Sequence, residues 1–594
     1  MSWSIKTACA FLALFIAAEV PAPVFANCEV KKVVELPITM EGLRPTILVQ
    51  FNGKDARLVL DSGAFFSMIS GAMAAEYNLK LTPAPLGLRV TGVGGSTNTE
   101  LTIVKSFGLI GITLHNVEFL VGGSDAAGSG FLGQNLLEKF DDEYDLVHGA
   151  IRLFHTDGCA KSILAYWASP GQPFSVLGIN RIDPNNPHTV GEASVNGKPI
   201  RVMFDTGAYT SILSLKAAER AGVKADSPGV VEAGYTLGVG RGAVKSYLAR
   251  FDSFKIGDSE EIKNIRLRIG ELGMDGVDML LGADFFVSHR IFVSNHEHKV
   301  FLTYNGGAVF NLSKAPPSQP ASSDSNVPRE PDATPADAAG FARRGEGLAA
   351  RRDFTPALAD LSKACELEPN EPEYFYRRAL VYSQTGALPL ALADLDHVLQ
   401  LKEDFLPAYL PRAEIHLQQK ELAAANADFD NVNRLAPKQA DLRLELGNIY
   451  QRLGNFPAAI AQYDLWIDSH PEDARLAIAL GSRCLMSALH NQDLAQGLAD
   501  CNKALRRADK QEPDYGSLYA DRGMVRLREG DYGKAIADFN DALKLLPKNA
   551  RALYGRGVAE SHKNLQKEAT ADIAAARALA PTLPERYQSF GIVP

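Results

Sequence analysis

Asn52-Gly53-Lys54-Asp55-Ala56-Arg57-Leu58-Val59-Leu60-Asp61-Ser62-Gly63-Ala64 returns 144 residues later as Asn196-Gly197-Lys198-Pro199-Ile200-Arg201-Val202-Met203-Phe204-Asp205-Thr206-Gly207-Ala208. Asn-Gly between apolar runs is a strong hairpin signal, because both residues tolerate the positive φ of a tight turn. The apolar runs that follow, Leu58 to Leu60 and Val202 to Phe204, read as buried strands that each deliver an aspartate to a glycine turn. Both copies continue into a Ser-x-x-Ser stretch, Ser67 to Ser70 and Ser211 to Ser214. About seventy residues beyond the aspartates comes a second matched element, Phe131-Leu132-Gly133-Gln134-Asn135-Leu136-Leu137 and Leu280-Leu281-Gly282-Ala283-Asp284-Phe285-Phe286. One ancestral strand-rich unit therefore occurs twice.

A single Asp-Thr-Gly is an ordinary turn sequence; two in register, each with its downstream glycine element, are a far more specific signal. Two buried aspartates in contact cannot both ionise, so one proton is shared and the pKa values split. The ionised member then takes a proton from water while the other donates to a carbonyl oxygen. Each unit resembles a retropepsin, the retroviral-type aspartic protease, on its Asp-[Ser/Thr]-Gly-Ala turn and its hydrophobic-hydrophobic-Gly element. The resemblance implies a dyad of Asp61 and Asp205, braced by Ser62, Gly63, Ala64 and Thr206, Gly207, Ala208, with the elements at Leu132, Gly133 and Leu281, Gly282 packed behind. It also implies a glycine-tipped flap over the substrate in each copy. The candidates are Gly92, Val93, Gly94 and Gly95 in the first and Tyr235, Gly238 and Gly240 in the second. No Lys-[Ser/Thr] follows either stretch as a phosphate loop requires. The second copy departs from the family at Ala283-Asp284, where the first has the closer match Gln134-Asn135.

A different periodicity governs the rest of the chain. Small residues with a larger apolar residue four positions on recur at Ala357/Leu361, Ala391/Leu395, Ala425/Phe429, Ala459/Tyr463, Gly497/Cys501, Ala535/Phe539 and Ala569/Ile573, in steps of 34, 34, 34, 38, 38 and 34. Helix-ending prolines close five units, at 369, 437, 471, 547 and 581. The pattern resembles tetratricopeptide repeats, helix hairpins with small residues where the two helices cross. One four-residue insertion is placed between the helices of the fifth unit and the other before the sixth. Cys484 and Cys501 face each other in the fifth unit, as a disulfide or as two small buried residues.

Composition narrows the rest. With 594 residues at roughly 150 per domain, about four domains are expected. A net charge of −9 without a basic block argues against nucleic acid. Lys6, the apolar run from Ala8 to Ala18 and Val24-Phe25-Ala26 read as an export signal cleaved after Ala26. No later stretch has the ~18 uncharged apolar residues of a membrane span. In an oxidising compartment Cys28 and Cys159, at the ends of one candidate domain, could pair. His296 and His298 form a His-x-His in an expected strand but have no third metal ligand nearby in sequence, so an exposed strand face is the reading. The six prolines between 313 and 337 mark an extended linker joining two separable folding units.

The expected organisation is multidomain: a signal peptide (1–26), two retropepsin-like lobes (28–157 and 173–312) forming an all-β double-lobed acid-protease fold, a linker (313–337), an all-α solenoid of seven repeats (338–581) and a tail (582–594). The expected function is an exported, periplasmic or secreted, cofactor-independent and metal-independent aspartic endopeptidase. Its protease unit is monomeric, its substrate a protein or peptide, and its repeats engage a protein partner. The alternative is an exported binding scaffold that keeps the protease fold without the activity.

Overall fold

The computed structural model describes residues 28–85, 88–124, 130–168, 171–180, 188–310, 334–510 and 515–594. The signal segment and the linker from 313 to 333 lie outside the described residues. Both Asn-Gly pairs adopt the expected turn: φ is positive at Asn52 (52°), Gly53 (84°), Asn196 (49°) and Gly197 (71°). Each turn joins two antiparallel strands, Arg44–Phe51 with Lys54–Leu60 and Val190–Val195 with Lys198–Phe204. On Arg44–Phe51, Ile47, Val49 and Phe51 point into the core while Leu48 and Gln50 face out, the period-2 pattern of a half-buried strand.

The turn asparagines also close the sheets. Asn52 exchanges hydrogen bonds with Ser106, accepting from its N–H at 3.1 Å and donating its own N–H at 2.8 Å. Asn196 does the same with Ser253 and also accepts from the N–H of Asp252. These contacts pin each hairpin to a long strand, Thr99–Leu109 or Ala243–Ile256, and both sheets close into barrels.

A third sheet joins the lobes. Strands Glu29–Pro37, Ala150–Asp157 and Asp141–Asp145 come from the first copy, and His289–Ser294, Lys299–Tyr304 and Ser175–Gly178 from the second. Its seam pairs Asp142 with Val293 and Tyr144 with Ile291. Arg152 and Arg290 converge on the buried Glu143 and Asp145, and the His148 hydrogen bond together with these arginines holds the Asp145 carboxyl far below the usual range against its burial. The Cys28–Cys159 disulfide is formed and ties the first strand to the end of Ala150–Asp157.

Seven antiparallel helix pairs follow, from Ala338–Ala350 with Phe354–Leu367 to Ala550–His562 with Gln566–Leu579. The small residues stand where two helices touch: a Cβ on Gly447 would meet the Tyr463 ring at 2.8 Å, and one on Gly523 would meet Phe539 at 2.7 Å. The Cys484–Cys501 disulfide is formed between the helices of the fifth pair.

Four expectations need correction. The first insertion goes mostly into a helix and not into the turn of the fifth hairpin: Leu476–His490 has 15 residues against 12 for Leu442–Leu453, while the turn grows by one residue, from 454–455 to 491–493. Within the tail, Leu583–Ser589 is helical, and Tyr587 and Ile592 are buried in the solenoid core. His296 and His298 lie in the turn between two strands of the shared sheet, not in a strand, and His298 has a φ of 53°.

The largest correction concerns the relation of the two halves, which are packed together. Glu346 in the first solenoid helix is buried and accepts the Met40 N–H at 2.9 Å, beside Arg377 at 3.6 Å. Leu348 and Ala357 bury against Val147, and a Cβ on Gly347 would strike the Val147 carbonyl at 2.3 Å. Linker composition predicts reach and stiffness, but it carries no information about whether the joined surfaces are complementary.

Candidate active site

Each aspartate sits where an inner strand ends and the hydrophobic-hydrophobic-Gly element passes behind it. Strand Lys54–Leu60 runs parallel to Gly130–Leu132, and Lys198–Phe204 runs parallel to Met279–Leu281. The Asp61 N–H donates to the Leu132 carbonyl and the Asp205 N–H to the Leu281 carbonyl, both at 2.9 Å. Gly133 and Gly282 are required by close approach: a Cβ there would fall 2.7 Å from the Ala64 carbonyl or 2.6 Å from Thr210 backbone. Their N–H groups reach the Ser67 and Ser211 hydroxyls.

The two loops grip one another. The Ser62 N–H donates to the Thr206 hydroxyl and the Thr206 N–H to the Ser62 hydroxyl, each at 3.0 Å. Each hydroxyl in turn donates to a carbonyl of the opposite strand, Ser62 to Phe204 at 2.9 Å and Thr206 to Leu60 at 2.6 Å. Ser62 and Thr206 are buried, so this network carries its full low-dielectric weight. Across it the carboxylates face each other. A Cβ on Gly63 would lie 2.3 Å from the Asp205 carboxyl carbon, and one on Gly207 2.2 Å from Asp61 Oδ2. Only glycine leaves room for the opposing acid.

Burial and the neighbouring Asp205 charge push Asp61 well above the ordinary range, against the N–H groups of Gly63 and Ala64. Burial also raises Asp205, but the Ala208 N–H, a hydrogen bond from Asp61, the Gly207 N–H and the Arg44 guanidinium all favour its charged form. Both carboxyls are thus held above the usual range, and the values belong to the pair, which shares a proton where two isolated aspartates would both be ionised.

Both glycine-rich stretches form hairpins over this site. Val90–Gly92 and Gly95–Thr97 pair around Val93-Gly94, and Val231–Leu237, carrying Tyr235, pairs with the start of Ala243–Ile256 around residues 238–242. The tips interlock: the Gly240 N–H donates to the Val93 carbonyl at 3.1 Å and the Gly242 N–H to the Gly94 carbonyl at 2.9 Å. Val93 packs on a cluster of the second lobe that includes Val190, Ile212 and Leu280. Val239 packs on a cluster of the first lobe that includes Val59, Met68 and Phe131.

Three further residues belong to the site. Arg44 reaches across the lobes, its guanidinium carbon 5.9 Å from the Tyr209 ring centre. Gln134 Nε2 donates to the Ser62 carbonyl at 2.9 Å, and Tyr144 is buried beneath the same loop. Gln134 lies in the matched element, so its signal was visible; a lone arginine or tyrosine gives none. His296 stays outside the cleft, its N–H donating to Asp141. No group of three metal-binding side chains occurs among the described residues.

Comparison with known proteins finds the same two parts. Residues 47–136 match an aspartyl protease family model and residues 191–288 a gag-polyprotein aspartyl protease model. Residues 416–484 and 520–584 match tetratricopeptide repeat models. The human protein SGT1 homolog is 33% identical over 76 residues, 13% of this chain and 20% of that protein, so the chain spans about one fifth of the length of this curated relative. A tetratricopeptide repeat protein from Parabacteroides merdae aligns at 16% identity, over 43% of this chain and 98% of that one, with a TM-score of 0.30. The first such domain of Spaghetti (RPAP3), bound to an HSP90 peptide, aligns at 22% identity over 20% of this chain and 94% of that one, with a TM-score of 0.19. The chain thus carries two aspartyl-protease-like domains followed by tetratricopeptide repeats. No helix among the described residues is long and apolar enough to cross a membrane.

Proposed function

We propose that these aspartyl-protease-like lobes form one working site per chain and that the protein is an exported aspartic endopeptidase. The observation that carries the reading is the meeting of Asp61 and Asp205 through the reciprocal Ser62–Thr206 grip, with burial raising both carboxyls. In the proposed reaction a water held between the carboxyls loses a proton to the charged Asp205 and attacks the peptide carbonyl carbon. Asp61 donates its proton to the carbonyl oxygen, giving a neutral gem-diol. Collapse breaks the C–N bond as the proton on Asp205 passes to the departing nitrogen and the gem-diol returns a proton to Asp61. Water and peptide are the only reactants, so no cofactor is needed.

The closed hairpins support the same reading, since a lid that excludes bulk water strengthens the field between the carboxyls. Export is supported by the N-terminal segment and by two formed disulfides, which suit an oxidising compartment. The repeats are assigned a recruiting role for a protein substrate or partner. The test is cleavage of a denatured protein mixture with and without a statine-type inhibitor. Inhibitor-sensitive cleavage that is lost in Asp61→Asn and Asp205→Asn is the expected result; inhibitor-insensitive cleavage, or none, removes the proposal and leaves a binding scaffold.

A further inference from the structure

The solenoid touches the lobes at two distant places. Its first repeats meet the first lobe through Glu346 and Met40, while the turn after Phe456–Ser469 meets the second flap at Arg241. In that turn Glu472 pairs with Arg241 at the tip of the second flap. The Ala474 N–H donates to the Ser124 hydroxyl at 3.3 Å, and the Ser124 N–H donates to the carbonyl of Val239 at the same tip, also at 3.3 Å. Ser124 therefore bridges the solenoid to the flap. Between turn and lobe lies a cavity of about 400 Å³, bordered by Asn98, Glu100 and Gly122 on one side and His470, Glu472 and Asp473 on the other.

The turn is built to hold its shape. Asp473 pairs with Arg475 at 2.9 Å, and Arg475 pairs with Asp441 at 2.6 Å. The His470 ring stacks on Trp466 with centroids 4.4 Å apart, and Arg507 reaches the Asp473 carbonyl at 3.4 Å. A rigid turn presents Glu472 and the Ala474 N–H in fixed positions, so little ordering entropy opposes their contacts. Glu472 touches the side chain of Arg241, which lies between Gly240 and Gly242, whose N–H groups tie the two flap tips together, and the Ala474 N–H reaches the same tip through Ser124.

We propose that residues 470–475 are a latch by which the solenoid holds the flaps closed over the aspartates. Its effect on turnover rests on the protease reading; the mechanical claim does not. In a stacked array each repeat contacts its neighbours, so a small rotation per repeat accumulates along the solenoid. A protein ligand that binds the solenoid better in a differently curved state would withdraw the turn from Arg241 and Ser124, and the cleft, which already opens part of the time in the free protein, would open more often.

Amide hydrogen exchange over 90–97 and 236–244 in the full chain tests the latch, using Glu472→Arg, Ala474→Pro and the charge swap Arg241→Glu/Glu472→Arg. Glu472 is 38% exposed on its side chain, so its replacement spares the core. Flap exchange should rise roughly two- to fivefold in Glu472→Arg, the effect expected from losing one partly exposed ion pair, and should return towards the original rate in the swap. Ala474→Pro, which removes the N–H donated to Ser124, should also raise it. Unchanged flap exchange in both Glu472→Arg and Ala474→Pro overturns the latch, whether or not the protein cleaves peptides. Faster exchange in a chain that cleaves nothing leaves the latch standing and removes the protease reading. Cleavage with unmoved exchange does the reverse.

Discussion

Asp61 and Asp205 sit in matching turns but in unequal surroundings: burial and the Asp205 charge raise Asp61, while burial raises Asp205 against the Ala208 N–H, a hydrogen bond from Asp61 and the Arg44 guanidinium. Both folded-state values lie above the ordinary 3.8, so the carboxyls stabilise the fold most at low pH and that contribution is lost as pH rises through the acidic range. Asp61→Asn should therefore cost at least about a thousandfold in activity while raising stability near neutral pH by about 1–3 kcal/mol, the order of an uncompensated buried polar group. Denaturant melts at pH 4 and pH 7 check this: the gain should appear only at the higher pH, and a loss of stability there would contradict it. The residues after the glycines set a second expectation. Ala64 and Ala208 offer the carboxyls a backbone N–H but no hydroxyl. Replacing both by serine should add donors to the charged form and move the acid limb of the rate profile downward from a mildly acidic optimum, roughly pH 4 to 6.5 by analogy with other dyads. An unmoved limb would dismiss the role given to the alanines.

Among the elements, the one behind Asp205 differs from its twin in a way that titrates. Asn135 accepts from Ser67 N–H and Oγ, and Asp284 accepts from Ser211 N–H and Oγ in the same manner, but as a buried acid pushed up to about 6. A raised folded value means stability that is fully present below pH ~4 and lost as pH climbs to about 6. Asp284→Asn copies the first lobe, keeps the Ser211 bonds, and should be more stable than the parent above pH 6 by about 2–3 kcal/mol with no gain at pH 4. Equal melts at both pH values would show that Asp284 pays no such penalty.

Local chemistry is what made these elements legible. Asn52-Gly53 and Asn196-Gly197 could form only tight turns, and the glycines after each aspartate announced close approach. The seam of the shared sheet joins residues about 150 positions apart, Asp142 with Val293, and no short-range pattern encodes that pairing. In the solenoid the small-residue register was visible, whereas the arginine–aspartate pairs that brace the hairpins were overlooked. Arg344–Asp360, Arg378–Asp394, Arg412–Asp428, Arg522–Asp538 and Arg556–Asp572 each span sixteen residues. The fourth repeat, with Leu446 and Gln462 at those places, and the fifth, whose Arg483–Asp500 pair spans seventeen residues, break the series and hide it.

On the scale of the whole molecule, the protease-like lobes and the solenoid share a buried boundary, which a Pro-rich segment between them did not announce. Glu346→Leu would leave the Met40 N–H without its acceptor and should lower the denaturant midpoint of the lobes, at a cost of about 1–3 kcal/mol. Separate unfolding of the two halves with no change in the lobes would restore the picture of independent units. The most direct measurement of the central claim, one complete dyad per chain, is to mix Asp61→Asn with Asp205→Asn and follow peptide cleavage. Parent protein should cleave with a specific activity independent of dilution, and the mixture should stay as inactive as either variant. Cleavage regained on mixing would mean that the site is assembled between chains, and full activity in either variant alone would mean that the two aspartates do not act as a pair.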